Sequence, residues 1–181
     1  MTSRKFFMLF IACALIPIVA AKMSLSQGWF QEGSTNKGQW LQHEIQLLPD
    51  ANSNNNHDLI SDVHWHLVYV QGTESECAKE CEQVLFTLQQ LYAGMGRKQI
   101  KIKPLIMAQQ KPLQLNQFPA IGWLPEPAAA AELENQIVIV NQRGLVLLRY
   151  TFTAGVEQLN ALAKDIRTDL LRLINYDRSG A

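Results

Sequence analysis

One stretch decides the fold of this 181-residue chain: residues 64–91, with the sequence HWHLVYVQGTESECAKECEQVLFTLQQL. Residues 64–70 are rich in β-branched and aromatic side chains and end in an apolar run, which predicts a strand buried on both faces. A helix is expected from Ser75, because serine can cap a first turn and apolar residues then recur at helical spacing. Cys77 and Cys81 therefore lie where a buried strand gives way to a helix.

The elements that follow complete an α/β pattern. Residues 98–107 begin with strict alternation and predict a second strand, and residues 135–152 predict a hairpin whose turn uses Gly144 at positive φ. Residues 154–176 carry a broad apolar face and predict the last helix, while a short helix at residues 127–134 is left open. A strand–helix–strand start implies a parallel pair, to which an antiparallel hairpin is added. This order predicts a thioredoxin-like fold: a mixed central sheet flanked by helices.

The N-terminus predicts export and an N-terminal transmembrane helix over residues 1–25. Residues 1–5 are basic, and an uncharged apolar run covers residues 6–21. A basic flank ahead of an apolar run directs the rest of the chain out of the cytoplasm. Extended to residue 25, the run approaches the roughly 20 residues that span a bilayer. The small residues before Lys22 also fit a cleavage site, but we expect the helix to be retained as a signal-anchor.

The chain is therefore divided into three parts. Residues 1–25 form the anchor, residues 26–59 an extended approach segment with an Asn-rich loop, and residues 60–178 the thioredoxin-like domain. Sixteen basic and sixteen acidic residues cancel. This balance provides no basic patch for nucleic acid, so we expect no nucleic-acid partner.

The C-x3-C spacing of Cys77 and Cys81 allows three kinds of chemistry. Outside the cytoplasm the pair can form a disulfide, provided that the two Cα atoms lie within about 7 Å. A helix N-terminus favours thiolate, the form that attacks disulfides and binds soft metals. Cysteines four apart on a helix also share a face, so both sulfurs can meet one copper ion. A redox couple, half of a metal site and a structural disulfide all remain open.

Residues 64–91 resemble the start of the SCO proteins, which are thioredoxin-like copper chaperones and thiol reductases of cytochrome c oxidase assembly. Residues 137–150, IVIVNQRGLVLLRY, are similar to the next landmark of that family. The resemblance implies catalytic or copper-binding roles for Cys77 and Cys81. It also implies copper as the possible cofactor.

The chain departs from the SCO pattern at two places. Ala78 and Glu82 follow the cysteines, where SCO proteins carry prolines. SCO proteins also supply a histidine as the third copper ligand, and the corresponding residues 128–136, AAAAELENQ, contain none. The third ligand is therefore not identified. This loss favours thiol exchange or Cu(I), which accepts low coordination, over tight Cu(II) binding.

A second resemblance covers nearly the whole chain. Residues 15–21, residues 28–41 and the C-x3-C domain are together similar to small, singly anchored bacterial membrane proteins associated with cytochrome c oxidase gene clusters. In that group a short Asn-x-Gly piece, here Asn36 to Gly38, marks the approach segment. The resemblance implies a single-pass protein of the bacterial inner membrane with its C-terminal domain in the periplasm. The implied partner is a cytochrome c oxidase subunit or another copper-assembly protein.

The remaining metal-ligating side chains are interpreted as structural. His64 and His66 lie on one side of the strand at its start, too far from the cysteines for a shared site, and are read as polar residues at the strand's end. Met107 is interpreted as a core residue, and Cys13 as a small apolar residue of the N-terminal helix.

Two hypotheses of different class follow. In the first, the protein assists cytochrome c oxidase assembly by thiol–disulfide exchange or Cu(I) handling, and is at most a thiol–disulfide oxidoreductase. Cys77, nearer the helix start, is then expected to attack and Cys81 to resolve the mixed disulfide. In the second, the protein is a non-enzymatic assembly or scaffold protein on a degenerate thioredoxin fold, and the cysteines form a structural disulfide.

Overall fold

The chain forms two compact units, residues 1–35 and residues 36–181. The structure is a computed structural model that describes residues 3–26, 35–49, 63–72, 77, 79–152 and 156–177. The expected helix cap at Ser75 and the Asn-rich loop lie outside the described residues. The three-part division at residues 25 and 59 stays a prediction.

The first unit contains helix α1, Ser3–Ser26. A helix was expected here, but within the described residues no helix is both long enough and apolar enough to cross a membrane. The prediction of a transmembrane helix is corrected accordingly. The uncharged run between Lys5 and Lys22 has 16 residues, which as a helix reach about 24 Å. The hydrocarbon core of a bilayer is about 30 Å thick.

The second unit is built on one mixed six-stranded sheet with the order β1-β6-β5-β2-β3-β4. Its strands are β1 Gln39–Trp40, β2 Trp65–Val70, β3 Ile102–Ala108, β4 Gly122–Pro125, β5 Gln136–Asn141 and β6 Val146–Thr151. Within the described residues its α-helices are α2 Lys79–Gly94 and α3 Val156–Tyr176, and its 3₁₀ helices are Gly96–Lys101, Leu113–Gln117 and Ala128–Leu133.

The strand pairing confirms the predicted thioredoxin-like arrangement. β2 pairs parallel with β3 and antiparallel with β5, and β5 pairs antiparallel with β6. The hairpin turn between β5 and β6 places Gly144 at φ +80, as the sequence predicted. A Cβ atom there would lie 2.0 Å from the backbone oxygen of Leu48, so the turn requires glycine for space as well as for conformation.

The two faces of the sheet are covered differently. Alternate side chains of β2, those of Trp65, Leu67 and Tyr69, join a core cluster to which α2 and α3 both contribute. Val68 and Val70 point to the other face. That face is covered by residues 45–48 and by the 3₁₀ helix Ala128–Leu133. Both described α-helices of this unit, α2 and α3, therefore pack on the same face of the sheet.

Several elements differ from the sequence-based expectation. The second strand begins at Ile102, because residues 96–101 form a 3₁₀ helix. The proline-rich connection contains β4, which pairs parallel with β3 at the end of the sheet order, where a terminal Pro125 is tolerated. The open segment at residues 127–134 becomes a 3₁₀ helix, Ala128–Leu133.

The buried carboxylate of Asp169 binds the backbone at the start of the second unit. One oxygen of Asp169, on α3, accepts hydrogen bonds from the backbone N–H groups of Lys37 at 2.7 Å and Gly38 at 2.8 Å. It also accepts one from the Tyr150 hydroxyl at 2.9 Å. A Cβ atom at Gly38 would lie 2.6 Å from the Tyr150 ring. The glycine of the Asn36–Gly38 piece is therefore needed for this close approach.

Candidate functional site

The two cysteines form a disulfide between the end of β2 and the start of α2. The Cα atoms of Cys77 and Cys81 are 5.2 Å apart, within the range that a disulfide bridges without backbone movement. Cys81 is the third residue of α2 and so lies in its first turn. The structure thus brings the two predicted site residues together, on the connection between β2 and α2.

The pair is buried in the core on the helix-covered face of the sheet. Cys77 is 7% exposed and Cys81 is 4% exposed, and both belong to the core cluster that includes α2 and α3. The charged side chains of Lys79, Glu80 and Glu82 are exposed around them. Exchange with a partner's sulfur therefore requires an opening of the chain around the disulfide.

Two glutamines contact the pair. Gln71 follows β2 directly, and its Oε1 lies 3.9 Å from the Sγ of Cys81. Gln114, in the 3₁₀ helix Leu113–Gln117, donates a hydrogen bond from Nε2 to the backbone oxygen of Cys77 at 3.1 Å. One glutamine thus contacts a sulfur, and the other contacts the backbone of the partner cysteine.

The stretch in which SCO proteins carry a histidine places an asparagine against the loop that leads to the cysteines. Asn135 accepts a hydrogen bond from the Gly72 N–H to its Oδ1 at 3.2 Å. It adopts φ 55, a left-handed conformation that asparagine tolerates. A Cβ atom at Gly72 would lie 2.7 Å from the Asn135 amide nitrogen. Gly72 therefore makes room for this contact.

A groove of about 800 Å³ borders the first turns of α2. Lys79 and Glu82, the neighbours of the cysteines in α2, line it together with Phe86, Phe118 and Leu159. Phe86 is 57% exposed, so the groove has an apolar wall open to solvent.

His66 in β2 and His64 just before this strand do not reach the cysteines. His66 is fully buried on the opposite face of the sheet, and burial lowers its pKa to about 4, assisted by the charge of Lys103 and opposed by the backbone of Asn141. The interpretation of His66 as a polar residue at the strand's end is therefore wrong. His64 agrees better with it, since its Nδ1 lies 3.4 Å from a carboxylate oxygen of Asp177 near the surface.

No third ligand appears beside the cysteines in the part of the chain that the structure describes. Within it, no group of three or more His, Cys, Asp or Glu side chains is arranged to hold a metal ion. Met107 is buried in the core on the face opposite the cysteines, which confirms its interpretation as a core residue.

Three contacts of the site were missed by sequence reasoning: Gln71, Gln114 and Asn135. For Gln71 a signal existed, because it is the polar residue that directly follows the apolar run of β2, on the way to the cysteines. Gln114 lies in the long proline-rich connection, and Asn135 is the first residue of the predicted hairpin, so both are far along the chain from the cysteines. Local pattern carries no information about such contacts.

Comparisons with known proteins agree with this architecture. Residues 65–176 match a family model described as transmembrane-like, thioredoxin-like, C-terminal domain. The solution structure of apo Sco1 from Thermus thermophilus is similar, with a TM-score of 0.51 and 16% identity over 78% of this chain and 99% of that chain. Copper-bound yeast Sco1 has a TM-score of 0.48 and 14% identity over 78% of this chain and 98% of that chain. No curated protein sequence matches the chain significantly. At these identities the first structure supports the shared fold.

Proposed function

Because this chain belongs to the transmembrane-like, thioredoxin-like C-terminal domain family, we propose that it is a thiol–disulfide exchange protein whose working pair is Cys77 and Cys81. The proposal extends to the SCO-like role implied by the sequence resemblance. The protein then assists cytochrome c oxidase assembly by acting on an oxidase subunit or another copper-assembly protein. It is at most a thiol–disulfide oxidoreductase.

The observation that carries the proposal is the position of the disulfide. It joins Cys77, two residues before α2 begins, to Cys81 in the first turn of that helix, on the connection that follows the central strand β2. The free N–H groups of a helix N-terminus stabilise a thiolate in the first turn, whether it attacks or leaves. A C-x3-C pair at this junction is therefore equipped for exchange.

The proposed reaction conserves atoms and electrons. In the dithiol form, the Cys77 thiolate attacks one sulfur of a partner's disulfide, and the partner's other sulfur leaves as a thiolate. The Cys81 thiolate then attacks Cys77 in the mixed disulfide and releases the partner's first sulfur. Two electrons pass to the partner's cysteines, and the Cys77–Cys81 disulfide forms. A dithiol reductant must restore the pair.

Copper enters this proposal as cargo. Two thiolates four residues apart suit Cu(I), a soft ion that accepts two ligands. The sulfurs are joined in the disulfide, so they bind copper only after reduction. Within the described residues no third His, Cys, Asp or Glu completes a metal site. The donor set thus fits transient Cu(I) binding.

A second function is favoured by the burial of the pair. Both cysteines are buried in the core cluster, as in a disulfide that only stabilises a fold. In that case the protein is a non-enzymatic assembly or scaffold protein that acts by binding its partner. The groove beside the first turns of α2 would serve such a partner.

The reduction potential of the pair separates the two functions. We expect the full-length protein, equilibrated with dithiothreitol mixtures, to give a potential above about −300 mV, since structural disulfides lie below this value. A potential below it would favour the structural disulfide and count against exchange.

A Cu(I) titration of the reduced protein tests the cargo role. We expect one Cu(I) per protein, with binding lost in both Cys77→Ser and Cys81→Ser. Cys13→Ser is the matched control, because this cysteine is exposed on α1 in the other unit. Absence of stoichiometric binding in the wild type would remove copper from the proposal.

We propose the bacterial inner membrane as the location, with the second unit in the periplasm. Arg4 and Lys5 precede an apolar run, a pattern that directs export. Helix α1 exposes many large apolar side chains that lipid would cover. Digestion of the second unit by protease added to spheroplasts would support this location, and protection would contradict it.

A further inference from the structure

A buried amide lies against one sulfur of the pair. Gln71 is 4% exposed and Cys81 is 4% exposed, and Gln71 Oε1 is 3.9 Å from Cys81 Sγ. Among the buried polar side chains of the described residues, His66 and Asp169 lie elsewhere, so Gln71 is the one that contacts a cysteine sulfur.

The sheet holds this glutamine in place. Its backbone N–H donates to the Met107 oxygen at 2.9 Å, which continues the β2–β3 ladder past Val70. Side chains alternate along a strand, so Gln71 shares the face of Leu67 and Tyr69, the face that α2 covers. Its position is therefore set by the framework of the fold.

Whether Cys81 can donate a hydrogen bond to Gln71 depends on the redox state of the pair. A disulfide sulfur carries no hydrogen, so the oxidised pair donates nothing to the amide oxygen. When a dithiol reduces the pair, two electrons and two protons pass to Cys77 and Cys81, and the reductant becomes a disulfide. The new S–H of Cys81 then lies beside an amide oxygen that can accept it. The hydrogen bond exists only in the dithiol form.

We propose that Gln71 is a positioning residue that stabilises the reduced pair by accepting a hydrogen bond from the Cys81 thiol, and so raises the reduction potential. This role rests on the proposed function in that the pair must alternate between disulfide and dithiol. Gln114 favours neither redox state, because the backbone oxygen of Cys77 accepts its hydrogen bond in the disulfide and in the dithiol form alike.

Replacement of the amide by an unbranched apolar side chain tests the role. In Gln71→Met we expect the equilibrium with dithiothreitol to move about fivefold toward the disulfide, since a buried hydrogen bond of the dithiol is lost. This corresponds to a potential about 20 mV more negative at 29.6 mV per tenfold. Gln99→Met is the matched control. It removes two hydrogen bonds, to the oxygens of Tyr92 and Ala93 at the far end of α2, and should leave the potential unchanged.

The infrared S–H stretching band of the reduced protein gives a second readout that a loss of stability would not move. The band assigned to Cys81 by its absence in Cys81→Ser should rise in wavenumber in Gln71→Met. It should stay low in Gln71→Glu, which keeps an oxygen acceptor. A reducible wild-type pair with potential and band unchanged in Gln71→Met would overturn this role alone. A pair that dithiothreitol cannot reduce would overturn the proposed function and this role with it.

Discussion

Protonation of His66 is expected to destabilise the fold. The side chain is fully buried on β2, and within the described residues neither ring nitrogen makes a hydrogen bond of normal geometry, although the backbone of Asn141 lies close enough to favour the charged ring slightly. Burial disfavours the charged ring, and the pKa is lowered from 6.5 to about 4. Between these two values the unfolded chain binds a proton that the folded chain does not. The free energy of unfolding therefore falls as the pH falls through this window.

The magnitude follows from the pKa difference. A lowering from 6.5 to about 4 corresponds to about 3 kcal/mol at 1.36 kcal/mol per unit. Above about pH 6.5 the His66 ring is neutral in the folded and the unfolded chain, and no free energy of unfolding is lost. Below about pH 4 the ring is charged in both, and the loss of unfolding free energy is complete. Most of the loss, about 2 kcal/mol, falls between about pH 7.5 and pH 5.

Urea unfolding of full-length protein and of His66→Val at these two pH values measures the effect. Valine suits a strand and removes the titrating ring, and it should not weaken the fold at neutral pH, because it removes buried polar atoms without partners. We expect the wild type to lose about 2 kcal/mol more than the variant on acidification. His64→Val, at the partly exposed histidine paired with Asp177, is the control and should keep this loss.

Equal losses in the wild type and in His66→Val would refute the reasoning. So would a His66 ring that titrates near its ordinary pKa in the folded protein, as followed by the NMR shifts of its carbon-bound protons. Either result would mean that water reaches the ring, because burial is the largest cause of the lowered pKa.

Three further substitutions test packing that the structure makes specific, each by urea unfolding. Gly144→Ala should cost about 3 kcal/mol, because it combines positive φ with a clash against the backbone of Leu48; a cost below about 1 kcal/mol would contradict the tight turn. Gly38→Ala should cost about 1–3 kcal/mol by pushing on the Tyr150 ring, and no cost would mean that the ring swings away. Tyr150→Phe should cost about 2 kcal/mol, since Asp169 loses a buried donor; an unchanged free energy would show that water replaces the hydroxyl.

Much of the framework could be predicted from local pattern. The apolar run of β2, the stripe of α3 and the glycine turn each specify their element within a few residues, because side-chain period and φ preference act locally. The β4 strand could not be read in this way, since it holds four residues in a proline-rich connection and exists through its pairing with β3. Its pairing depends on how the whole connection folds back onto the sheet.

The histidines show the same difference between what local pattern predicts and what tertiary packing decides. An i, i+2 pair at the start of a strand has the composition of a polar strand end, and His64 largely conforms to this interpretation. His66 is buried because the chain at residues 45–48 and the 3₁₀ helix Ala128–Leu133 cover its face of the sheet. That cover comes from both sides of the strand in sequence, so no window around the histidine reveals it.

The sequence by itself determined that two cysteines lie between a buried strand and a helix, because strand period, helix period and C-x3-C spacing are all local. Only the tertiary structure decided what surrounds them. Gln114 reaches the Cys77 backbone across 37 residues, and Asp169 fastens Gly38 across 131. Such contacts follow from which faces pack together, and burial in a shared core brings together side chains whose separation along the chain carries no signal.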